Sequence, residues 1–251
     1  MTNYPPVSVY TSTFGRVHCL NELVQSFLQQ DYKGKKELVI LNDYADQELI
    51  FNHPEVVIIN SKDRIKPLGL KFHKNIEYCS NDILVCMEDD DIYLPHHISY
   101  AVENMQNGMF HSGIGWCKNQ DRKLHKAGNY FHATHVFTRE LYNKVGGYPN
   151  AIDNCTVDVT IMSKFRQELG NYSQSPDPEK WSYIYVWGNG SYHGSGWGTA
   201  IHNLSDLAQM SVDQQKRNGT IPTGKIVLEP KWQKDYLIMV KQALEELNAN
   251  P

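Results

Sequence analysis

The sequence has few of the features that mark specialised classes of protein. Its 251 residues include only five cysteines, and none of them has the CxxC spacing of a metal-binding or redox motif. No apolar run approaches the roughly 20 residues that a membrane-spanning helix requires. Residues 1–10 lack the basic and apolar regions of a secretory signal. These absences predict reduced thiols, no transmembrane segment and a cytoplasmic location.

Positive charge is also scarce. The chain has 24 Lys and Arg against 28 Asp and Glu, a net charge of −4, and it has no run of basic residues. Proteins that bind nucleic acid concentrate Lys and Arg along the phosphates, so we do not expect nucleic acid as a partner. With 41% apolar residues, the chain is instead typical of a globular protein that buries its core without disulfides.

The first hundred residues alternate between short apolar runs and amphipathic segments. Apolar runs occur at residues 7–10, 37–41, 55–59 and 82–87, and helical periodicity occurs at residues 17–28 and 68–79. Strands that are apolar throughout are buried on both faces, and helices between them favour parallel pairing. The pattern predicts an α/β fold with a central, mostly parallel sheet flanked by helices, and a Rossmann-like nucleotide-binding half.

The pattern is less regular after residue 95. We expect helices near residues 98–105, 141–145 and 161–169, and loops or short antiparallel strands between residues 108 and 128. Residues 181–187 form a predicted aromatic strand. The periodicity predicts a last helix whose apolar face carries Trp232, Tyr236, Val240, Leu244 and Leu247.

Four consecutive acidic residues, Glu88-Asp89-Asp90-Asp91, follow the apolar run at residues 82–87. Adjacent carboxylates repel one another, and a hard divalent cation such as Mn²⁺ or Mg²⁺ relieves that repulsion because it prefers carboxylate oxygens. Ligands of open α/β sheets also bind beyond the carboxyl ends of the strands. We therefore predict a metal and phosphate site here. The alternative is an acidic solvated turn or the start of a helix.

Five segments, in the same order along the chain, resemble family 2 glycosyltransferases. They are residues 7–16 (VSVYTSTFGR), 28–32 (LQQDY), 37–43 (ELVILND), 82–95 (DILVCMEDDDIYLP) and 146–148 (GGY). The resemblance covers residues 7 to about 165. It implies a GT-A fold in a small member of the family, from the cytosol of a bacterium or of a virus-infected host cell.

The resemblance also implies how a nucleotide donor binds. Thr11, Ser12 and Phe14 would line the nucleobase and ribose. Asp43 would hydrogen-bond the uracil or the ribose. Lys71 stands where the family often has a basic residue near the base or diphosphate, with Lys74 as the alternative.

Within the acidic run, the resemblance assigns Asp89 to the ribose or donor sugar, and it assigns Asp90 and Asp91 to the metal, Mn²⁺ or Mg²⁺. Glu88 stands where an aspartate is commoner. A late histidine, His193, would complete the metal shell from the Gly-rich loop at residues 188–198.

The remaining histidines that the sequence groups together are assigned to the surface or to packing. These are His96, His97, His132 and His135.

A catalytic base is the weakest part of the resemblance. The family usually has an acidic Glu-Asp pair at the start of a helix after the Gly-Gly-aromatic turn, and residues 151–159 lack that pair. Asp158 is our choice for the base, and Asp153 is second. Asp158 is also explained as a favourable charge at a helix N-terminus.

Together these features predict a metal-dependent glycosyltransferase that moves a hexose-type unit from a UDP-sugar to an acceptor hydroxyl, with inversion. The acceptor class stays open between a glycan, a lipid-linked molecule and a protein. We expect a donor half at residues 1–95, an acceptor and catalytic half at residues 96–200, and a C-terminal helical extension at residues 201–251.

Two other functions compete with this interpretation. A nucleotidyltransferase would require a Gly-rich, basic loop after the first strand, and residues 11–16 have one Gly and one Arg. A non-catalytic nucleotide- or carbohydrate-binding module would explain the missing acidic pair.

Overall fold

The computed structural model describes residues 4–118, 123–128, 131–150, 157–186 and 207–249. The strands in these ranges are β1 (Val7–Thr13), β2 (Lys36–Asn42), β3 (Gln47–Ile50), β4 (Val56–Asn60), β5 (Ile83–Cys86), β6 (Ile92–Tyr93), β7 (Met109–Phe110), β8 (Ile114–Lys118), β9 (Leu124–Gly128), β10 (Val136–Thr138), β11 (Tyr183–Val186) and β12 (Gly224–Val227). The helices are α1 (Val17–Leu28), α2 (Leu68–Tyr78), α3 (His97–Glu103), α4 (Arg139–Lys144), α5 (Val157–Leu169), α6 (Leu207–Arg217) and α7 (Tyr236–Ala249).

The main sheet has the strand order β4-β2-β1-β5-β10-β7. β4, β2, β1 and β5 are parallel, whereas β10 and β7 are antiparallel to their neighbours. Alternating side chains of the central strands enter two cores, as the period of two in a strand requires. Val9 packs with α1 on one face, and Tyr10 packs with α2 and α5 on the other. The predicted α/β fold with a mostly parallel, helix-covered sheet is confirmed.

The order of the parallel strands reverses direction at β1. The chain runs outward from β1 through β2 to β4 and then returns to the other side of β1 as β5. At such a reversal the connections leave the sheet in opposite directions, which opens a crevice at the carboxyl ends of the two central strands. The fold thus has its natural ligand position beyond Thr13 and Cys86.

A second sheet lies beside the main one, with the order β6-β11-β8-β9. Its β8–β9 pair is antiparallel, which confirms the short antiparallel strands expected between residues 108 and 128. One of the two inner strands of this sheet, β11, pairs antiparallel with β6 and parallel with β8. Since β6 directly follows the acidic run, β11 is held beside that run.

The C-terminal residues pack back onto the first hundred residues. β12 pairs in parallel with β3, an element that the sequence pattern did not predict. Trp232 Nε1 donates to Ser26 Oγ over 2.9 Å, and Tyr236 OH donates to Glu22 Oε1 over 3.0 Å. The predicted apolar face of α7 packs into one cluster, but the helix begins at Tyr236, so Trp232 precedes it.

Disulfides and membrane-spanning helices are both absent from the part of the chain that the structure describes. None of Cys19, Cys79, Cys86 and Cys117 forms a disulfide, and burial raises the pKa of the Cys79 thiol to about 12. Cys155 lies outside the described residues. Within the described ranges, no helix has both the length and the hydropathy needed to cross a membrane.

Two buried histidines are held in their neutral form. His97 is 1% exposed and bonds Ser182 Oγ through Nδ1 at 2.9 Å, so its assignment to packing is confirmed. His111 bonds Ser173 Oγ at 3.0 Å and the Phe131 carbonyl at 3.1 Å. Burial lowers the pKa of His97 to about 3 and that of His111 to about 4.

We expect these histidines to make the fold acid-sensitive. In the unfolded chain each binds a proton below a pKa of about 6.5, but in the folded chain it does not until pH 4 or lower. Their contribution to stability is therefore complete above pH 6.5, and each removes about 1.4 kcal/mol of unfolding free energy per pH unit below it. Urea unfolding between pH 7.5 and pH 4.5 measures how the unfolding free energy depends on pH.

His111→Gln should reduce the slope of this dependence by about 1.4 kcal/mol per pH unit, because one buried histidine has been removed. His125→Gln changes a histidine at an exposed position and should leave the slope as in wild type. An equal slope in His111→Gln and wild type would contradict the prediction.

Candidate functional site

The acidic run that the sequence singled out lies at the crevice at the carboxyl ends of β1 and β5. The turn after β1 carries Arg16, and the acidic run at residues 88–91 follows β5 directly. Gly15 makes this turn possible, because its φ of 72 lies in the left-handed region that favours glycine. A Cβ at this position would also meet a Val212 methyl carbon at 2.8 Å. The local backbone thus directs Arg16 toward the acidic run.

Arg16 forms ion pairs with two members of the acidic run. Its Nη1 donates to Asp90 Oδ2 at 2.7 Å, and its Nε donates to Asp89 Oδ2 at 3.2 Å. Nη2 donates to the other oxygen of Asp89, so this contact is bidentate. Burial raises the pKa of Asp89 to about 6, even though Arg16 opposes the shift. The guanidinium therefore compensates the charge of a carboxylate that is 1% exposed.

Asp91 is held by the second sheet. Tyr183 OH donates to Asp91 Oδ2 at 2.6 Å, and the Val186 backbone N–H donates to Asp91 Oδ1 at 3.0 Å. Burial raises the pKa of Asp91 well above its usual range, and the nearby charges of Asp90 and Glu88 raise it further. β11 thus fixes the orientation of a carboxylate that like charges would otherwise push away.

Three carboxylates of the run meet in a group that suits a hard cation. Glu88, Asp90 and Asp91 each offer an oxygen, and these oxygens lie within 4.8 Å of one another. Mn²⁺ and Mg²⁺ prefer such oxygen ligands, and a divalent cation would relieve the mutual repulsion. The group contains the two predicted metal ligands and adds Glu88, whereas Asp89 is bound to Arg16.

A second charged cluster lies at the end of β2. Asp43 accepts from Lys71 Nζ at 2.6 Å and from Arg64 Nη1 at 2.7 and 2.8 Å. Burial raises the pKa of Asp43, but the charges of Lys71 and Arg64 outweigh burial and lower it. Burial lowers the pKa of Lys71 to about 8. The structure thus brings Lys71 to Asp43, while the alternative Lys74 is exposed.

The other residues predicted to contact the nucleobase lie at the same edge of the sheet but are covered by the chain itself. Phe14 packs with Tyr44 and Val212, and the Arg64 guanidinium carbon lies 3.6 Å from the centre of its ring. Thr11 is 1% exposed, whereas Ser12 is half-buried. Nucleotide contacts by Thr11, Ser12 and Phe14 therefore stay predictions, and Arg64 is the residue that lies over the ring.

The predicted acceptor-side residues are only partly described. Asp158 lies in the first turn of α5 and is close enough to His132 to act on it electrostatically. Asp153 and His193 lie outside the described residues. The roles of all three stay predictions.

His132 is buried and packs against Phe72, as a packing residue does, but it also contacts the acidic run. Its Nδ1 lies 2.7 Å from Glu88 Oε1, and its Nε2 lies 2.7 Å from Tyr148 OH. His132 and Glu88 are 44 residues apart, so no local motif joins them. Arg16 was also missed, although it ends the VSVYTSTFGR segment. The sequence carried one signal for these contacts: a run of four acidic residues requires positively charged or donor groups nearby.

Comparison with known proteins bears on the family and the fold of the chain. The family model described as Glycosyl transferase family 2 matches residues 8–169, more than half of the chain. No curated protein matches the sequence.

Two solved structures illustrate the fold. The chain is similar to the mannosyltransferase PcManGT from Pyrobaculum calidifontis, in complex with GDP-Man and Mn²⁺, with a TM-score of 0.54 and 14% identity over 100% of this chain and 77% of that chain. It is also similar to S. aureus TarS 1-349 in complex with UDP-GlcNAc, with a TM-score of 0.53 and 13% identity over 78% of this chain and 61% of that chain. At these identities the likeness establishes the fold, which is GT-A.

Loss of Arg16 should destabilise the chain in a pH-dependent way. Arg16→Ala leaves the buried Asp89 carboxylate without its counter-charge, and we expect a loss of about 3 kcal/mol in unfolding free energy at pH 8. The loss should shrink as the pH falls from 8 toward 6, because removal of Arg16 raises the pKa of Asp89 further above about 6 and a protonated Asp89 needs no cation. Urea unfolding of the metal-free protein measures both values. Lys123→Ala, which breaks an exposed pair with Glu246, should cost about 0.5 kcal/mol or less; equal losses in the two variants would contradict the assignment.

Proposed function

Since this chain belongs to glycosyl transferase family 2, we propose that it moves a hexose-type unit from a UDP-sugar to an acceptor hydroxyl, with inversion at the anomeric carbon. The single observation that carries the proposal is the meeting of Glu88, Asp90 and Asp91 at the carboxyl end of β5. That position lies at the reversal of strand order, where open α/β sheets bind their ligands.

The nucleotide would bind between the two charged clusters. Asp43 accepts hydrogen bonds and suits the uracil N–H or a ribose hydroxyl, and its pairs with Lys71 and Arg64 fix its orientation. Asp89 would contact the ribose or the donor sugar. The guanidinium of Arg16 is planar and always charged, and it can donate two hydrogen bonds to a phosphate. Arg16 would therefore bind the diphosphate from the side of β1.

The residues present fit a divalent metal, Mn²⁺ or Mg²⁺. Glu88, Asp90 and Asp91 would hold it, and His193 is the proposed additional ligand. The bound cation would neutralise the negative charge that develops on the leaving diphosphate. Arg16 also forms an ion pair with Asp90, so the protein itself compensates part of the negative charge of the run.

The acceptor side requires a base. As the acceptor oxygen attacks the anomeric carbon, its proton passes to a carboxylate, and the bond from that carbon to the diphosphate oxygen breaks. We assign the proton transfer to Asp158, at the start of α5. Attack from the face opposite the leaving group gives inversion.

We also propose that the chain is divided into a donor half at residues 1–95, an acceptor half at residues 96–200 and a C-terminal extension at residues 201–251.

The similar structures support a nucleotide-sugar donor. PcManGT was solved with GDP-Man and Mn²⁺, and TarS was solved with UDP-GlcNAc. Both are only distantly similar to this chain, and the donor base is therefore part of the test below.

Binding of UDP should depend on the acidic run. Calorimetric titration of UDP with and without Mn²⁺ should give metal-dependent binding in wild type, and Asp90→Asn should weaken it by at least about tenfold, because removing one metal ligand weakens phosphate binding through the metal. Asp63→Asn, an exposed position after β4, should bind as wild type does.

Three other results would redirect the proposal. UDP binding that ignores both Mn²⁺ and the substitution would remove the acidic run from donor binding and favour a binding module. GDP bound more tightly than UDP would change the donor base. Turnover of a sugar phosphate and UTP to a UDP-sugar would identify a nucleotidyltransferase.

The role of Asp158 can be separated from donor binding. Asp158→Asn keeps the size of the side chain but removes the base, so we expect turnover to fall by about 10² to 10⁴-fold with UDP affinity unchanged. Glu168→Gln near the end of the same helix, where Glu168 pairs with Lys144, is the matched control. Once a donor is known from a UDP-sugar panel, release of UDP measures both variants. Full activity in Asp158→Asn would exclude Asp158 as the base.

A further inference from the structure

We propose that His132 is a positioning residue for Glu88, which it holds in the orientation that binds the divalent metal. The inference rests on the proposed function, because it takes Glu88 to be one of the metal ligands. It assigns a task to a buried histidine that sequence reasoning left to packing.

The contacts of His132 form a continuous polar chain through the core. Nδ1 lies 2.7 Å from Glu88 Oε1, and Nε2 lies 2.7 Å from Tyr148 OH. Tyr148 OH lies 2.7 Å from Tyr10 OH in turn. His132, Tyr148 and Tyr10 are 5%, 2% and 0% exposed, so water does not compete for these bonds. The chain thus links β1 to the acidic run through the interior.

One hydrogen bond of this series has a fixed direction. A carboxylate can only accept, so Nδ1 of His132 carries the proton that points at Glu88. Nε2 lies at hydrogen-bond distance from Tyr148 OH, so both ring nitrogens have a buried partner. A ring bonded at both nitrogens keeps one orientation, because turning it would leave buried polar groups unpaired.

The imidazole itself is firmly held. His132 begins a 3-10 turn, His132–Thr134, and its carbonyl oxygen lies 2.7 Å from His135 Nδ1. The Phe72 ring packs against it with a centroid distance of 5.4 Å. A rigid donor can therefore orient a carboxylate that is 21% exposed at the edge of the crevice. Side chains that orient metal ligands in this way typically contribute 10 to 100-fold to metal affinity.

A rival explanation uses the same atoms. Cys86, Glu88 and His132 also lie close enough to hold a metal of their own, with Cys86 Sγ 3.8 Å from Nδ1. In the structure, however, Nδ1 already bonds Glu88 at 2.7 Å, which is a hydrogen-bond distance. The two explanations make different predictions for Cys86, because the thiol is a ligand in one and a packing neighbour in the other.

Two substitutions of His132 test the bonds of its two ring nitrogens separately. In His132→Asn the amide nitrogen replaces Nδ1 and can still donate to Glu88, whereas in His132→Gln it replaces Nε2 and reaches Tyr148 instead. Manganese binding is measured by the electron paramagnetic resonance of unbound Mn²⁺ in the presence of UDP, and Tm is measured in parallel. We expect His132→Gln to lose at least about tenfold in Mn²⁺ affinity and His132→Asn to stay within about threefold of wild type, although both lose a similar amount of Tm.

Two further variants complete the set. Tyr148→Phe should lower Tm but keep Mn²⁺ affinity within about threefold, because the bond from Nδ1 to Glu88 remains. Cys86→Ala should leave Mn²⁺ affinity unchanged, since the thiol has no part in the proposed role. A loss in Cys86→Ala as large as that in His132→Gln would favour the rival cluster and overturn the proposal.

The remaining outcomes distinguish this inference from the function on which it rests. If wild type binds Mn²⁺ with UDP but the Asn and Gln variants have equal affinities, His132 does not position Glu88, and only this inference fails. If wild type does not bind Mn²⁺ in the presence of UDP, the proposed metal-dependent function fails and this inference fails with it.

Discussion

Compensation of the acidic run at residues 88–91 is the constraint on which the arrangement of this crevice depends. Carboxylates so close together repel one another, and burial of Asp89 and Asp91 removes the water that would weaken the repulsion. Side chains and backbone groups from several elements stabilise these carboxylates. They are the guanidinium of the turn after β1, a hydroxyl and a backbone N–H of β11, and an imidazole from the segment before β10. The shape of the crevice is therefore a property of the tertiary structure.

The same principle governs the end of β2, where Asp43 is balanced by two cations from the segment after β4 and from α2. The two centres flank the carboxyl end of β1 and differ in composition. Around Asp43 the cations outnumber the acid, whereas at the end of β5 the acids outnumber the cation. The edge of the sheet therefore has an excess of positive charge on one side of β1 and an excess of negative charge on the other.

The parts of the fold that sequence reasoning predicted are those whose apolar pattern extends over many residues. β1, β2 and β5 follow from continuous apolar runs, because they are buried on both faces, and α1 follows from a period of 3.6 along its one buried face. β3 and β12 were missed because each has four residues and polar or glycine positions at its start. At the site, the acidic run was visible as a local motif. The pairing of His132 with Glu88 was not, because a contact between distant residues leaves no periodic trace in a single sequence.

The parallel pairing of β12 with β3 has a consequence for how the protein is made. Asn42, next to Asp43, donates to the Gln47 carbonyl, and the Gln47 side chain donates to the carbonyl of Pro222, 175 residues later. α6 likewise supplies Val212 to the apolar cluster of Phe14 and Tyr44. On the ribosome, the N-terminal sheet can assemble while the rest is still being translated, since domains fold as their residues emerge. The cluster around Phe14 cannot be completed at that point, because Val212 and the strand β12 are made near the end of synthesis. A nascent chain therefore passes through a stage in which it has its sheet but lacks the C-terminal residues that cover the end of β1.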